Sequence, residues 1–167
     1  RKPDLCVSGI NHGSNSSINV IYSGTMSAAV EAGIEGIQAI GFSLLDYRWS
    51  ADFNAIRNYV KKITLSALEN KIPSNVVLNV NFPKLVEEEI KGIKICRQAR
   101  AFWDDTFEER TDPLGKKYYW LTGEFHDHDN GEDTDMSALE NNYVSIVPTK
   151  FDMTAHHAIN HLNEWKL

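Results

Sequence analysis

The 167-residue chain is of single-domain size and long enough to enclose a hydrophobic core. Its 42% hydrophobic and 24% charged residues are ordinary for a globular protein, and a net charge of −6 argues against binding nucleic acid through a basic face. No apolar stretch approaches the roughly 18 residues of a membrane span. Cys6 and Cys96 lie in apolar strand-like runs, which suits reduced thiols in a cytoplasmic protein better than a disulfide framework.

Asp4 to Ile10 reads as a buried strand, followed by a loop, Asn11-His12-Gly13-Ser14-Asn15, and a short apolar link from Ile18 to Ile21. The chain enters a helix at Ser23-Gly24-Thr25, with Met26, Ala29, Val30 and Gly33 at three- and four-residue steps, and Gly33 and Gly36 as stop signals. Gln38 to Leu44 is a second strand. Phe53, Ile56, Tyr59, Val60, Ile63 and Leu68 mark one face of a long helix that ends before Pro73, and Val76 to Phe82 is a third strand closed by Pro83. This alternation predicts an α/β fold, a parallel sheet with flanking helices, in which ligands bind beyond the strand C-termini.

After Pro83 the texture changes. Lys91 to Ala101 reads as a strand, Phe102 to Glu108 is aromatic and acidic, and Asp112-Pro113-Leu114-Gly115 is a turn before Lys117 to Leu121, which predicts a β-hairpin. A polar loop, His126 to Asp135, leads to a short helix with Asp135 as its cap, then a strand from Tyr143 to Pro148 and a terminal helix from His156 to Trp165. The expected organisation is one domain over residues 1–167: an α/β core (1–101), a hairpin and acidic loop (102–136), and a C-terminal strand and helix (137–167).

Residue chemistry alone leaves alternatives open. The Asn11 amide oxygen suits a hard cation if carboxylates stand beside it, but turn asparagines also satisfy backbone groups. The same holds for Asn15. Ser23-Gly24-Thr25 can hold phosphate oxygens at a helix N-terminus or simply cap the helix. His126-Asp127-His128-Asp129 with Glu132, Asp133 and Asp135 lacks zinc spacing and reads as a solvated acidic loop. His157 and His161 lie one turn apart without the H-E-x-x-H pattern, and Trp103-Asp104-Asp105 reads as packing aromatics with acids outside.

The linked blocks Val7-Ser8-Gly9-Ile10-Asn11-His12-Gly13-Ser14-Asn15 and Val20-Ile21-Tyr22-Ser23-Gly24-Thr25 resemble the SurE family of stationary-phase survival proteins, 5′/3′-nucleotidases. The resemblance continues through Ala28-Ala29, Leu78-Asn79-Val80-Asn81-Phe82-Pro83, Thr134-Asp135 and Tyr143-Val144-Ser145-Ile146-Val147-Pro148. It implies a Rossmann-like core and a metal-dependent phosphomonoesterase acting on nucleoside monophosphates, the 5′ or 3′ preference left open. It further implies one divalent ion (Mg²⁺ or Mn²⁺) per subunit with Asn11 as a catalytic metal ligand. Asn15, Ser23, Gly24 and Thr25 would line the phosphate pocket. The family's extended hairpin and exchanged C-terminal segment imply a homodimer or homotetramer.

The family's Asp-Asp-Gly turn and a further Ser ligand have no counterpart in this chain, and Asp104-Asp105 does not follow a first strand. Ser16-Ser17-Ile18-Asn19 also departs from the Gly and acidic residues common in the family. The expectation is therefore a longer protein whose N-terminal segment supplies those ligands and central strands, with this chain alone inactive. The runner-up is a non-catalytic phosphate- or nucleotide-binding protein of the same fold. A third reading is an oligomerisation scaffold built on the hairpin and tail.

Overall fold

A computed structural model describes residues 2–166; Arg1 and Leu167, the outer limits of the expected domain, lie outside them. In chain order the elements are β1 (Cys6–His12), α1 (Gly24–Ile34), β2 (Ala39–Leu44), α2 (Arg57–Asn70), β3 (Val76–Phe82), β4 (Ile93–Ile95), β5 (Ala101–Thr111), β6 (Lys117–Asp127), α3 (Asp135–Glu140), β7 (Val144–Lys150) and α4 (His156–Asn163). The central sheet has the order β1-β2-β3-β7-β4, and β5 with β6 forms a separate two-stranded ribbon. β1, β2 and β3 are parallel, as the alternating pattern requires, whereas β7 runs antiparallel to β3 and carries β4 parallel beside it. The anticipated α/β architecture is thus present as a mixed sheet dominated by parallel pairs.

Each strand of the core alternates its side chains between two helix layers. On one face Ile40, Phe42, Leu44, Val80 and Phe82 pack with Ile56, Ile63 and Ala67 of the α2 region. Phe42 and Phe82 stack with centroids 5.9 Å apart. On the other face Ala39 and Val77 pack under Met26 and Ala29 of α1. A Cβ at Gly33 would meet Val77 at the start of β3, whereas one at Gly41 would strike Met26 and approach Thr25. α1 therefore runs antiparallel to the strands, and glycine at 41 lets its first turn sit directly on β2. That points the helix N-terminus at the strand C-termini.

α1 closes where Gly36 N–H meets Gly33 O (3.0 Å) and Ile37 N–H meets Ala32 O (2.9 Å), so Gly36 is the stop and Gly33 lies within the helix. The anticipated strand 91–101 is split. Between β4 and β5 the backbone instead bonds to the loop before α3, Arg97 N–H to Asp133 O and Asp135 N–H to Arg97 O, both 3.0 Å. The cap of α3 is Thr134, whose Oγ1 accepts from Ser137 N–H at 3.1 Å; Asp135 is the first helical residue, its carboxylate turned into the core.

Phe42→Ala in the whole protein should cost about 3–5 kcal/mol of stability, since it empties a fully buried site beside Phe82. Chemical denaturation measures this, and a loss below about 1 kcal/mol would contradict the packing described.

Candidate active site

The register of β1 against β2 shifts between Ser8 and Asn11, where three steps on β1 match two on β2. This bulge reorients the strand end just before the loop. Gly13 N–H then donates to Leu44 O at 2.8 Å. Gly13 has φ of 93°, and a Cβ there would collide with the Tyr47 ring. Only glycine lets the loop fold back over the end of β2 against that tyrosine.

What holds the loop is a buried polar ladder. On the α1 face, Ala39 and Val77 are followed upward by Gly41 and Asn79, then by Ser43 and Asn81. Beyond the first turn of α1 the loop takes the helix's place, and the face becomes polar to receive it. Asn81 Oδ1 accepts the Asn15 N–H (2.8 Å), Asn79 Nδ2 donates to Asn15 O (2.8 Å), and Asn81 Nδ2 donates to Asn79 Oδ1 (2.9 Å). Asn15 Nδ2 donates to Ser43 Oγ. Asn15, Ser43, Asn79 and Asn81 are all buried, so each bond also avoids the cost of an unsatisfied amide, about 1–3 kcal/mol.

Asn11 hangs from this ladder. Its Nδ2 donates to Gly13 O (3.1 Å) and Asn15 Oδ1 (3.5 Å), and its Oδ1 accepts from no described residue. Asn15 is fully engaged within the protein. Ser23 is the N-cap of α1, its Oγ accepting from Met26 N–H at 3.0 Å, so its hydroxyl serves the capping role. Gly24 and Thr25 occupy the first helical positions, where N–H groups have no intrahelical partner, and the Thr25 hydroxyl bonds to no described residue.

Neighbouring groups shape the rim. His12 Nδ1 lies 3.0 Å from Arg48 O; since a carbonyl only accepts, the proton sits on Nδ1. The ring meets Phe53 edge-on at 4.9 Å. Asp46 is buried and takes Arg48 Nε (2.9 Å) and Nη2 (2.6 Å), with Lys84 Nζ at 3.5 Å. The Arg48 guanidinium holds the Asp46 carboxyl well below the usual carboxylate range. Asp135, fully buried, accepts from Ser17 N–H (2.8 Å), Ala99 N–H (2.9 Å) and Met136 N–H (2.9 Å). Burial nevertheless pushes its carboxyl up, against the pull of those N–H groups.

His126, Asp127, His128, Glu132 and Asp133 of the acidic loop are exposed, as expected, while Asp129 and Asp135 are drawn inward. Arg97 forks onto Asp129 (Nη1–Oδ2, 2.5 Å) and pairs with Asp133 through Nε (2.9 Å), which raises the Arg97 pKa and depresses that of Asp129. Among the described residues no group of three or more His, Cys, Asp or Glu could hold a metal ion. Asn11 Oδ1 fits a hard cation as a single neutral ligand, but the described residues alone do not make a divalent-metal site.

Sequence reasoning did not single out Ser43, Asn79 or Asn81 as site residues. The signal was available: two asparagines at i and i+2 in an otherwise apolar strand must find partners on one face.

An α/β sheet whose Asn-rich loop and helix N-terminus meet at the strand C-termini belongs to the class of α/β folds that place their ligand-facing groups at that end of the sheet. The model of a family described as Survival protein SurE matches residues 1–105. The chain belongs to the SurE family. It is 72% identical over its whole length to a protein named 5′-nucleotidase SurE from Flavobacterium johnsoniae and 70% identical to one of the same name from Flavobacterium psychrophilum. It covers 64% and 65% of those relatives, so it spans about two thirds of their length. The crystal structure of the SurE protein from Aquifex aeolicus superposes with a TM-score of 0.86 at 39% identity, over 98% of this chain and 65% of that one.

Because its native pKa is depressed, Asp46 contributes stability that is full above the ordinary carboxylate range and is lost as pH falls below about 4 toward the native value. The stability difference between wild type and Asp46→Asn should be constant above about pH 5 and shrink below it. Denaturant titrations across pH measure this; a difference independent of pH would show that Arg48 does not hold the carboxylate.

Proposed function

We propose that the whole protein is a divalent-metal-dependent phosphomonoesterase that releases phosphate from nucleoside 5′-monophosphates, with nucleoside 3′-monophosphates as further substrates. The observation that carries this reading is the Oδ1 of Asn11, which bonds to no described residue and stands near the end of β1, beside a loop whose amides are pinned, at the strand ends toward which α1 directs its N-terminus. The relatives' name, 5′-nucleotidase SurE, supplies the substrate class.

On this reading Asn11 contributes one oxygen to an Mg²⁺ or Mn²⁺ ion, one per subunit, and carboxylates from outside this chain contribute the charge. The ion, when bound, supplies Lewis-acid stabilisation of the phosphoryl oxygens. Gly24 and Thr25 meet the phosphate with N–H groups and the free hydroxyl. Asn15 and Ser23 complete the wall of that pocket through the positions they hold, Asn15 fixing the Asn11 amide and Ser23 the helix start. The chain by itself does not turn over nucleotide. Residues 1–101, 102–136 and 137–167 act as one unit, in a cytoplasmic protein whose two cysteines are free thiols.

The assembly is a homodimer or homotetramer, with the hairpin and the C-terminal segment reaching between subunits. Phe107, Tyr119, Trp120 and Leu121 on the β5–β6 ribbon are exposed, and α4 buries none of its residues while leaving Ile159 and Leu162 in solvent. Exposed apolar clusters of this kind mark contact surfaces.

Asn11→Ala in the whole protein should lower kcat/KM for AMP with Mg²⁺ or Mn²⁺ by about a hundredfold without altering Tm. Unchanged turnover would refute the assignment, and wild-type binding of AMP without hydrolysis would favour the non-catalytic binder. Trp120→Asp should lower the assembly mass seen by light scattering; an unaltered mass would exclude the ribbon from the interface.

A further inference from the structure

The sheet face under α2 is only partly covered. Phe42, Val80 and Phe82 lie in a cluster whose α-helical members, Ile63 and Ala67 among them, all belong to α2. Beyond β3 the same face continues onto β7 and β4: Leu78 pairs with Pro148, Val80 with Ile146, and Ile146 in turn with Ile95. Cross-strand partners share a face, so Pro148 and Ile95 extend the apolar floor outward from the helix. Pro148 is exposed, and Ile95, on the edge strand, is 70% exposed. Between this floor and the C-terminal half of α2 runs a groove of about 350 Å³. A sheet face of this kind is ordinarily closed by a further helix laid beside the first.

The two walls of the groove differ in polarity. On the sheet side every lining residue is apolar, whereas the α2 side carries Lys62, Ser66, Asn70 and Lys71. Residues 62, 66 and 70 recur one helical turn apart and form a rim along the helix. Ser66 and Asn70 satisfy each other, since Asn70 Nδ2 donates to Ser66 O (3.0 Å) and Ser66 Oγ (3.2 Å). Lys62 and Lys71 form no ion pair with a described residue. At a rise of about 1.5 Å per residue they stand about 13 Å apart along the axis, Lys71 just past the last residue of α2. An acyl carboxylate satisfies one of these lysines at most, whereas a helix laid along α2 offers a carboxylate to each.

We propose that this groove is an interaction site for an acidic amphipathic helix of a partner protein. Its apolar face seats on Ile95, Ile146 and Pro148, and its flanking carboxylates meet Lys62 and Lys71. In a chain of net charge −6 an acidic partner is repelled over most of the surface and admitted at this rim, which favours one docking position. α4 of a second copy fits less well, because His156–Asn163 contains no Asp or Glu to bring to the lysines. The site lies away from the Asn11 loop and does not depend on the phosphatase reading.

Two designed, fluorescein-labelled helical peptides test this on the whole protein by fluorescence anisotropy. Both carry leucines at i, i+3, i+4 and i+7; one has glutamates on the flanks of that stripe and its twin has lysines. The glutamate peptide should bind at least about tenfold more tightly than the lysine twin, and added salt should narrow the gap. Lys62→Glu combined with Lys71→Glu should reverse the preference. Ile95→Asn should weaken the glutamate peptide about tenfold at unchanged Tm. Equal affinity for the twins, no binding of either, or full binding by Ile95→Asn would overturn the proposal. A lower assembly mass for Ile95→Asn in light scattering would assign the groove to contacts between copies and overturn it as well.

Discussion

The 2.8 Å hydrogen bond from the Asn15 N–H to Asn81 Oδ1 joins the loop after β1 to the end of β3, across the strand that lies between them. Asn79 and Ser43 add bonds to the same residue from below. These groups are buried, and a buried amide without a partner is costly, so the loop has one low-energy seat. Everything proposed for the site follows from that seat. Asn11 Nδ2 is held by Gly13 O at 3.1 Å and by Asn15 Oδ1 at 3.5 Å, while its Oδ1 bonds to no described residue.

A second tie fixes the other end of the loop. Asp135 takes N–H groups from Ser17, Ala99 and Met136, and Ser17 Oγ donates to Ala101 O at 2.6 Å. The exit of the loop, the root of the ribbon and the start of α3 are thereby locked to one carboxylate. Burial works against ionisation there, while the converging N–H groups favour it. The same lock brings Trp103, Phe125 and Met136 alongside the loop, so one buried acid organises both the loop and the residues next to it.

The core and the outer elements obey different balances. In the central strands β2 and β3, apolar side chains are covered by α2 on one face and by α1 on the other. Among the described residues no layer covers the outer part of the ribbon: its cross-strand pairs, such as Phe107 with Leu121 and Glu108 with Trp120, stand in solvent. An isolated two-stranded ribbon is marginal in water, which gives the exposed aromatics and the uncovered face of α4 a physical reason to seek a partner surface.

Local pattern was enough to read much of the chain. The third strand coincides with Val76–Phe82 and the ribbon turn falls at 112–116, whereas the first strand, expected to be buried and to end at Ile10, is an edge strand with no buried residue that runs on through Asn11 and His12, so the loop begins only at Gly13. The third strand and the turn depend on periodicity or turn chemistry within a few residues. The residues that resemble the SurE family are likewise written in consecutive blocks. What tertiary structure alone decided are the partners: Asn15 with Asn81, 66 residues away, Ser17 with Asp135, 118 residues away, and Arg97 with Asp129 and Asp133 across the loop before α3. Thr134 displaced Asp135 as a cap because the carboxylate had three backbone donors waiting inside. A sequence states which groups need partners, but which partner each finds, and which oxygen is left free for a ligand, is set only when distant segments close on one another.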